Sequence, residues 1–184
     1  DMFVDAGGTL SASGATININ NDAELSMLGG VVSSVGTINN NAEIIGQGTI
    51  NVSGRLNNSG SINVSGGTLV ITATGAGQLN LDGNGTSPLF VEPGRVFVTA
   101  ADTDLVVNGP LSDAFNGIMN IGSSNSVTMN TAWTLGGSGS AGTIIFLGSD
   151  GVLNLNGGTT SLTAAVLTGA TVTVAGDINV GAAN

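Results

Sequence analysis

The chain has 184 residues, of which Gly, Asn, Ser and Thr supply 31, 21, 18 and 20. Charged residues make up only 8%, against roughly 25% in an ordinary domain. With no Cys, His, Lys or Tyr, it lacks the usual zinc, haem, iron–sulfur and copper ligands and any Ser-His or Cys-His nucleophile pair. A net charge of −10 with two Arg argues against nucleic acid, because phosphate neutralisation needs a basic patch.

The chain opens Asp1-Met2-Phe3, with no basic stretch followed by an apolar core. Starting at Asp, it reads as a processed or excerpted chain. No apolar run approaches the ~20 residues of a membrane-spanning helix, so no transmembrane segment is expected. Hydrophobic residues at 41% argue against disorder.

From there on the recurring unit is apolar-x-apolar, the period-2 mark of a short strand with one buried face. It occurs at Ile17/Ile19, Ile50/Val52, Ile62/Val64, Leu69/Ile71, Leu79/Leu81, Leu89/Val91 and Val96/Val98. It continues at Leu105/Val107, Val127/Met129, Trp133/Leu135, Ile144/Phe146, Leu153/Leu155, Val172/Val174 and Ile178/Val180. Gly, Asn, Ser or Asp follows each unit within a few residues, and these are turn formers. No window carries a helical stripe.

Between residues 38 and 62 the spacing is strict. Ile38, Ile44, Ile50, Leu56 and Ile62 stand six apart. A six-residue step is too short for ordinary hairpins, whose strands alone run about 5–6 residues. It suits one side of a coil, with two or three sides per turn. The fold expected is all-β, a parallel β-solenoid over 1–184 as a single domain; an antiparallel β-sandwich is the rival. Stacked coils would superpose like residues, so Asn51, Asn57 and Asn63 are expected to form an amide ladder.

The run 48–71, Gly-Thr-Ile-Asn-Val-Ser-Gly-Arg-Leu-Asn-Asn-Ser-Gly-Ser-Ile-Asn-Val-Ser-Gly-Gly-Thr-Leu-Val-Ile, resembles the repeats of bacterial surface β-helix proteins. These include autotransporter passenger domains and filamentous-haemagglutinin-like exoproteins. Gly151-Val-Leu-Asn-Leu-Asn-Gly-Gly is similar. The resemblance covers repeat style over about 7–82, more loosely 118–180, and no catalytic motif. It implies a right-handed β-helix and roles in adhesion, biofilm building and display of a stalk.

The stretch 88–115 departs from the rest. It holds Pro88, Pro93 and Pro110, with Phe90, Phe97 and Phe115. In four strand units between 70 and 106 the outward residue is apolar: Val70, Phe90, Phe97 and Val106. Either an irregular coil buries these faces within the chain, or Phe90, Phe97, Val106 and Phe115 form an interface with another subunit or domain.

Asp102-Thr-Asp104 offers hard oxygen ligands for calcium, with solvated turn acids as the plainer reading. No other cofactor is expected. Trp133 shares the inward phase of Leu135 and reads as core. The expected function is a non-catalytic extracellular or cell-surface module, structural or adhesive, continuing or stacking end to end into a fibre or stalk. Its partners would be further copies, neighbouring domains of the same chain, or glycans and host surfaces. A carbohydrate-binding or polysaccharide-degrading β-helix is the alternative.

Overall fold

The computed structural model describes residues 1–20, 22–82, 94–136, 142–157, 160–162, 165–168, 171–174 and 178–180. Within them every regular element is a strand. The first coil holds β1 (Met2–Asp5), β2 (Thr9–Ala12) and β3 (Ile17–Ile19). In the next three, the first two sides merge into one long strand: β4 (Glu24–Ser34) with β5 (Thr37–Asn40), β6 (Glu43–Val52) with β7 (Arg55–Asn58), and β8 (Ser61–Ala73) with β9 (Gln78–Asn80). Then come β10 (Arg95–Val98) and β11 (Asp104–Asn108). Three-stranded coils follow: β12 (Ile118–Ile121), β13 (Ser126–Met129) and β14 (Trp133–Leu135); β15 (Gly142–Phe146), β16 (Val152–Leu155) and β17 (Thr160–Leu162); β18 (Ala165–Thr168), β19 (Thr171–Val174) and β20 (Ile178–Val180).

Every strand pairing among the described residues is parallel. The chain is therefore the parallel β-solenoid expected, and the antiparallel sandwich is excluded. Its first side stacks β1, β4, β6, β8, β10, β12, β15 and β18, eight strands deep. The second side runs β2, β4, β6, β8, β11, β13, β16, β19. The third is split into β3-β5-β7-β9 and β14-β17-β20. Among the described residues the segment 111–115 between these two sheets makes a single bridge to each, Leu111 to Leu79 and Phe115 to Leu135.

The hexads are the sides of a three-sided coil. Ile44 pairs with Ile62, 18 residues on, which is three steps of six. On the second side Ile50 pairs with Ile71, and on the third Ile38 pairs with Leu56. The long strands turn the first corner without breaking their pairing, at register shifts between Leu28 and Val31 and between Gly46 and Gly48. Gly46 is required there: its φ is +117°, and a Cβ would fall 1.9 Å from the Met27 carbonyl oxygen.

Inward residues from all three sides fill one continuous core, from Val4 and Leu25 through Ile44, Ile62, Val96 and Met119 to Leu155. Of the expected irregular stretch, 88–93 lies outside the described residues. The remainder is regular on two sides, since β10 and β11 both pair with β8. Only its third side is irregular.

Candidate functional site

The outward columns are what this fold presents to a partner. On the third side Asn18, Asn39 and Asn57 are in register, and Asn80, next in the column, is buried. Asn39 Nδ2 donates to Asn18 Oδ1 at 2.8 Å, and Asn57 Nδ2 to Asn39 Oδ1 at 2.9 Å. At the corner after β3, Asn41 donates to Asn20 at 2.8 Å. A further ladder closes the second side, where Asn108 donates to Thr72 Oγ1, Asn130 to Asn108 and Asn156 to Asn130, at 3.2, 2.9 and 3.2 Å.

Amide ladders thus exist, but the expected membership is corrected. Asn51, Asn57 and Asn63 lie on three different sides. Asn51 pairs in register with Ser33 and Thr72, Asn63 with Ile45 and Phe97, and only Asn57 has asparagine neighbours. The reason is the period. Six residues move the chain one side round, whereas like residues superpose only after a whole coil.

A second set of asparagines points inward, where sequence reasoning placed only apolar side chains. Asn40 and Asn58 are both 0% exposed. Asn40 Nδ2 donates to Asn58 Oδ1 at 2.7 Å and to the Ser61 carbonyl at 2.8 Å, while Asn58 Nδ2 reaches the Leu81 carbonyl at 2.9 Å. Asn125 does the same at another corner. Its Nδ2 donates to the carbonyls of Val98 and Ala100, both at 2.8 Å, and its Oδ1 accepts the Thr103 N–H at 3.2 Å. Each amide satisfies backbone groups that a corner takes out of the sheet, as buried polar groups must be. The repeated Asn-Asn at 39–40 and 57–58, 18 residues apart, was the available signal.

The expected interface residues do not share one face. Phe115 is a correction: it is 2% exposed in the core, its ring 5.8 Å from that of Trp133. Its coil has no strand on the third side, so a period-2 phase could not be read there. Trp133 is core, as expected. Phe97 is half-buried and outward on the first side, and Val106 half-buried and outward on the second, in register with Val70 and Thr128. Phe90 lies outside the described residues. The more exposed apolar side chains are Phe3, Val35, Leu147, Leu28 and Met2.

Of the calcium candidates, Asp102 stands exposed in the turn before β11 at φ +56°. The Asp104 carboxylate accepts both the backbone N–H and the Oγ of Ser126, at 3.1 and 2.6 Å, tying β11 to β13. Asp1, Asp22, Glu24 and Glu43 line an open cavity of about 600 Å³ beside the first side, with Glu24 and Glu43 in register. Glu43 accepts from Asn63 Nδ2 at 3.4 Å. Among the described residues no three His, Cys, Asp or Glu side chains converge as a metal ion would need. The exposed Asp150 accepts from Ser124 Oγ at 2.8 Å, and this bond holds its carboxyl below its ordinary pKa.

Among the described residues no helix is long and apolar enough to cross a membrane. Compared with protein-family models, curated proteins and solved structures, the chain matches none.

Proposed function

We propose that this chain is a non-catalytic extracellular module, structural or adhesive, whose coils build part of a cell-surface fibre or stalk. Its repeat style, similar to that of bacterial surface β-helix proteins, points the same way. The observation that carries the reading is the in-register stacking of like strands on all three sides. A coil of this kind is an additive unit: it contacts only its neighbours, and each added coil repeats the same backbone pairing. Further coils, from the same chain or from another copy, extend the rod without new contacts of another type. The rod resists bending because backbone hydrogen bonds run along its axis. Its outer columns of Asn, Ser and Thr keep it wettable with little charge.

Negative-stain electron microscopy with light scattering, over a range of concentrations, tests the stacking. Rods that lengthen with concentration are expected. A monodisperse monomer at every concentration overturns self-stacking.

A second reading is a carbohydrate-binding surface. The observation favouring it is the outer face of the second side, where Ser11, Ser33, Asn51, Thr72 and Asn108 are in register beside Thr9, Val31, Thr49, Val70 and Val106. Neutral amides and hydroxyls match a sugar's hydroxyls. Binding on a glycan array, lost on mutating this face, supports it; a blank array removes it.

A further inference from the structure

The ladders place asparagines at strand ends, and the corners demand glycine beyond them. Together these make Asn-Gly pairs, whose chemistry is its own. The backbone nitrogen of the glycine can attack the asparagine Cγ. A C–N bond forms, the side-chain nitrogen leaves as ammonia, and a five-membered succinimide results. Water then adds to one of its two carbonyls and reopens it, as aspartate or as isoaspartate. Glycine permits this because it has no Cβ to obstruct the attack.

We infer that Asn156–Gly157 is a site of such self-modification in the folded protein, and that the fold shields two of its counterparts, Asn108–Gly109 and Asn116–Gly117. Four Asn-Gly pairs occur, at 84–85, 108–109, 116–117 and 156–157. The first lies outside the described residues. Asn108 is held at both ends of its amide: Nδ2 donates to Thr72 Oγ1 and Oδ1 accepts from Asn130. Asn116 is half-buried, with Nδ2 donating to the Ala114 carbonyl at 3.0 Å and its backbone N–H bound to the Asp82 carboxylate. Asn156 is exposed, just past β16; its Nδ2 donates over 3.2 Å to Asn130 and its backbone N–H to the Met129 carbonyl at 2.9 Å, so exposure is what sets it apart. Of the two Asp-Gly pairs, 82–83 runs outside the described residues, and at 150–151 the Ser124 bond favours the ionised carboxylate, which is a poor electrophile.

The glycine of the reactive pair is fixed by the corner. A Cβ at 157 would fall 2.1 Å from the Thr131 nitrogen, so the corner admits only glycine. Asn156 is the last described rung of its ladder. The product carboxylate meets Asn130 Oδ1, acceptor against acceptor, where a donor had been. In the isoaspartate form the chain also gains a backbone methylene between β16 and β17. The ladder loses that rung, and the chain gains one negative charge.

The test is peptide mapping by mass spectrometry of the whole chain held in mildly alkaline buffer, folded and in urea. In the folded chain Asn156 is expected to convert several-fold faster than Asn108 or Asn116. In urea the three rates should converge. An N156Q variant should lose conversion in that peptide and keep the other two rates. Equal rates at the three asparagines in the folded chain overturn the inference. So does an Asn156 that stays intact while the unfolded chain converts.

Discussion

Coil length varies along the solenoid, with a narrow stretch at 25–62 and a wide one at 96–144. From Leu25 to Ile44 to Ile62 the in-register steps are 19 and 18 residues. From Val96 to Met119 to Ile144 they are 23 and 25. The narrow stretch is filled mainly by Ile, Leu and Val, whereas the buried aromatics Phe115, Trp133 and Phe146 all lie in the coils of the wide stretch. Perimeter and core volume are linked: a longer coil encloses more space, and close packing demands larger side chains to fill it. The corners differ too. In the narrow stretch a corner is one or two residues, and glycine is placed where backbone passes over backbone. In the wide stretch the corner loop before β11 is held by Asn125, Thr103 and Asp104.

The largest effect should come from emptying the wide stretch. Trp133→Ala removes a 2%-exposed indole and its contact with Phe115. The expected cost is about 3–5 kcal/mol, read by urea denaturation. A loss under about 1 kcal/mol, the scale of a surface change, would break the link between perimeter and filling.

A smaller effect is expected at a narrow corner. A Cβ on residue 54 would lie 2.1 Å from the Gly36 carbonyl oxygen, which is backbone and cannot swing aside. Gly54→Ala should therefore cost about 1–3 kcal/mol through forced backbone movement. Gly14→Ala is not an equivalent control, because nothing lies within 4 Å of its Cβ position but its φ is +80°. Any loss there reports strain rather than crowding. A Gly54→Ala variant as stable as the parent would show that the coils are not in contact at that corner.

The smallest effect is electrostatic. The Asp150 pKa is depressed when folded, so its contribution is present above the unfolded value and fades as pH falls through the lower folded one. Ser124→Ala should return the Asp150 carboxyl toward the ordinary range, as followed by NMR titration. An unchanged titration would mean that another group sets it. Because the carboxylate is exposed, stability in the acid range should barely move.

The same contrast explains what could be read beforehand. Apolar-x-apolar units such as Ile50/Val52, Leu69/Ile71 and Val127/Met129 are buried strands because strict alternation leaves one face for water and one for the core. The six-residue period marked the sides of the coil. It does not say how many sides close a turn, and for that reason it suggests a ladder of Asn51, Asn57 and Asn63 that only Asn57 joins. Units whose second inward slot is polar, Ile38/Asn40 and Leu56/Asn58, escaped the pattern because corner backbone, not the core, selects that side chain. Phe115 escaped because its coil is irregular on that side. Asp104 is legible as an oxygen acceptor, but not the partner it accepts from, Ser126 of the next coil.

The central claim is that residues eighteen apart in the hexad region superpose while residues six apart do not. The chain has no cysteine, so paired cysteines report on this without interference. Neighbouring parallel strands lie about 4.8 Å apart, and a disulfide spans Cα separations of about 4.4–6.8 Å. Under mild oxidation the Asn39→Cys/Asn57→Cys pair should cross-link within the folded chain, as seen in the mass of the intact protein. The Asn51→Cys/Asn57→Cys pair should remain reduced. Cross-linking of the second pair with none of the first would contradict the three-sided coil.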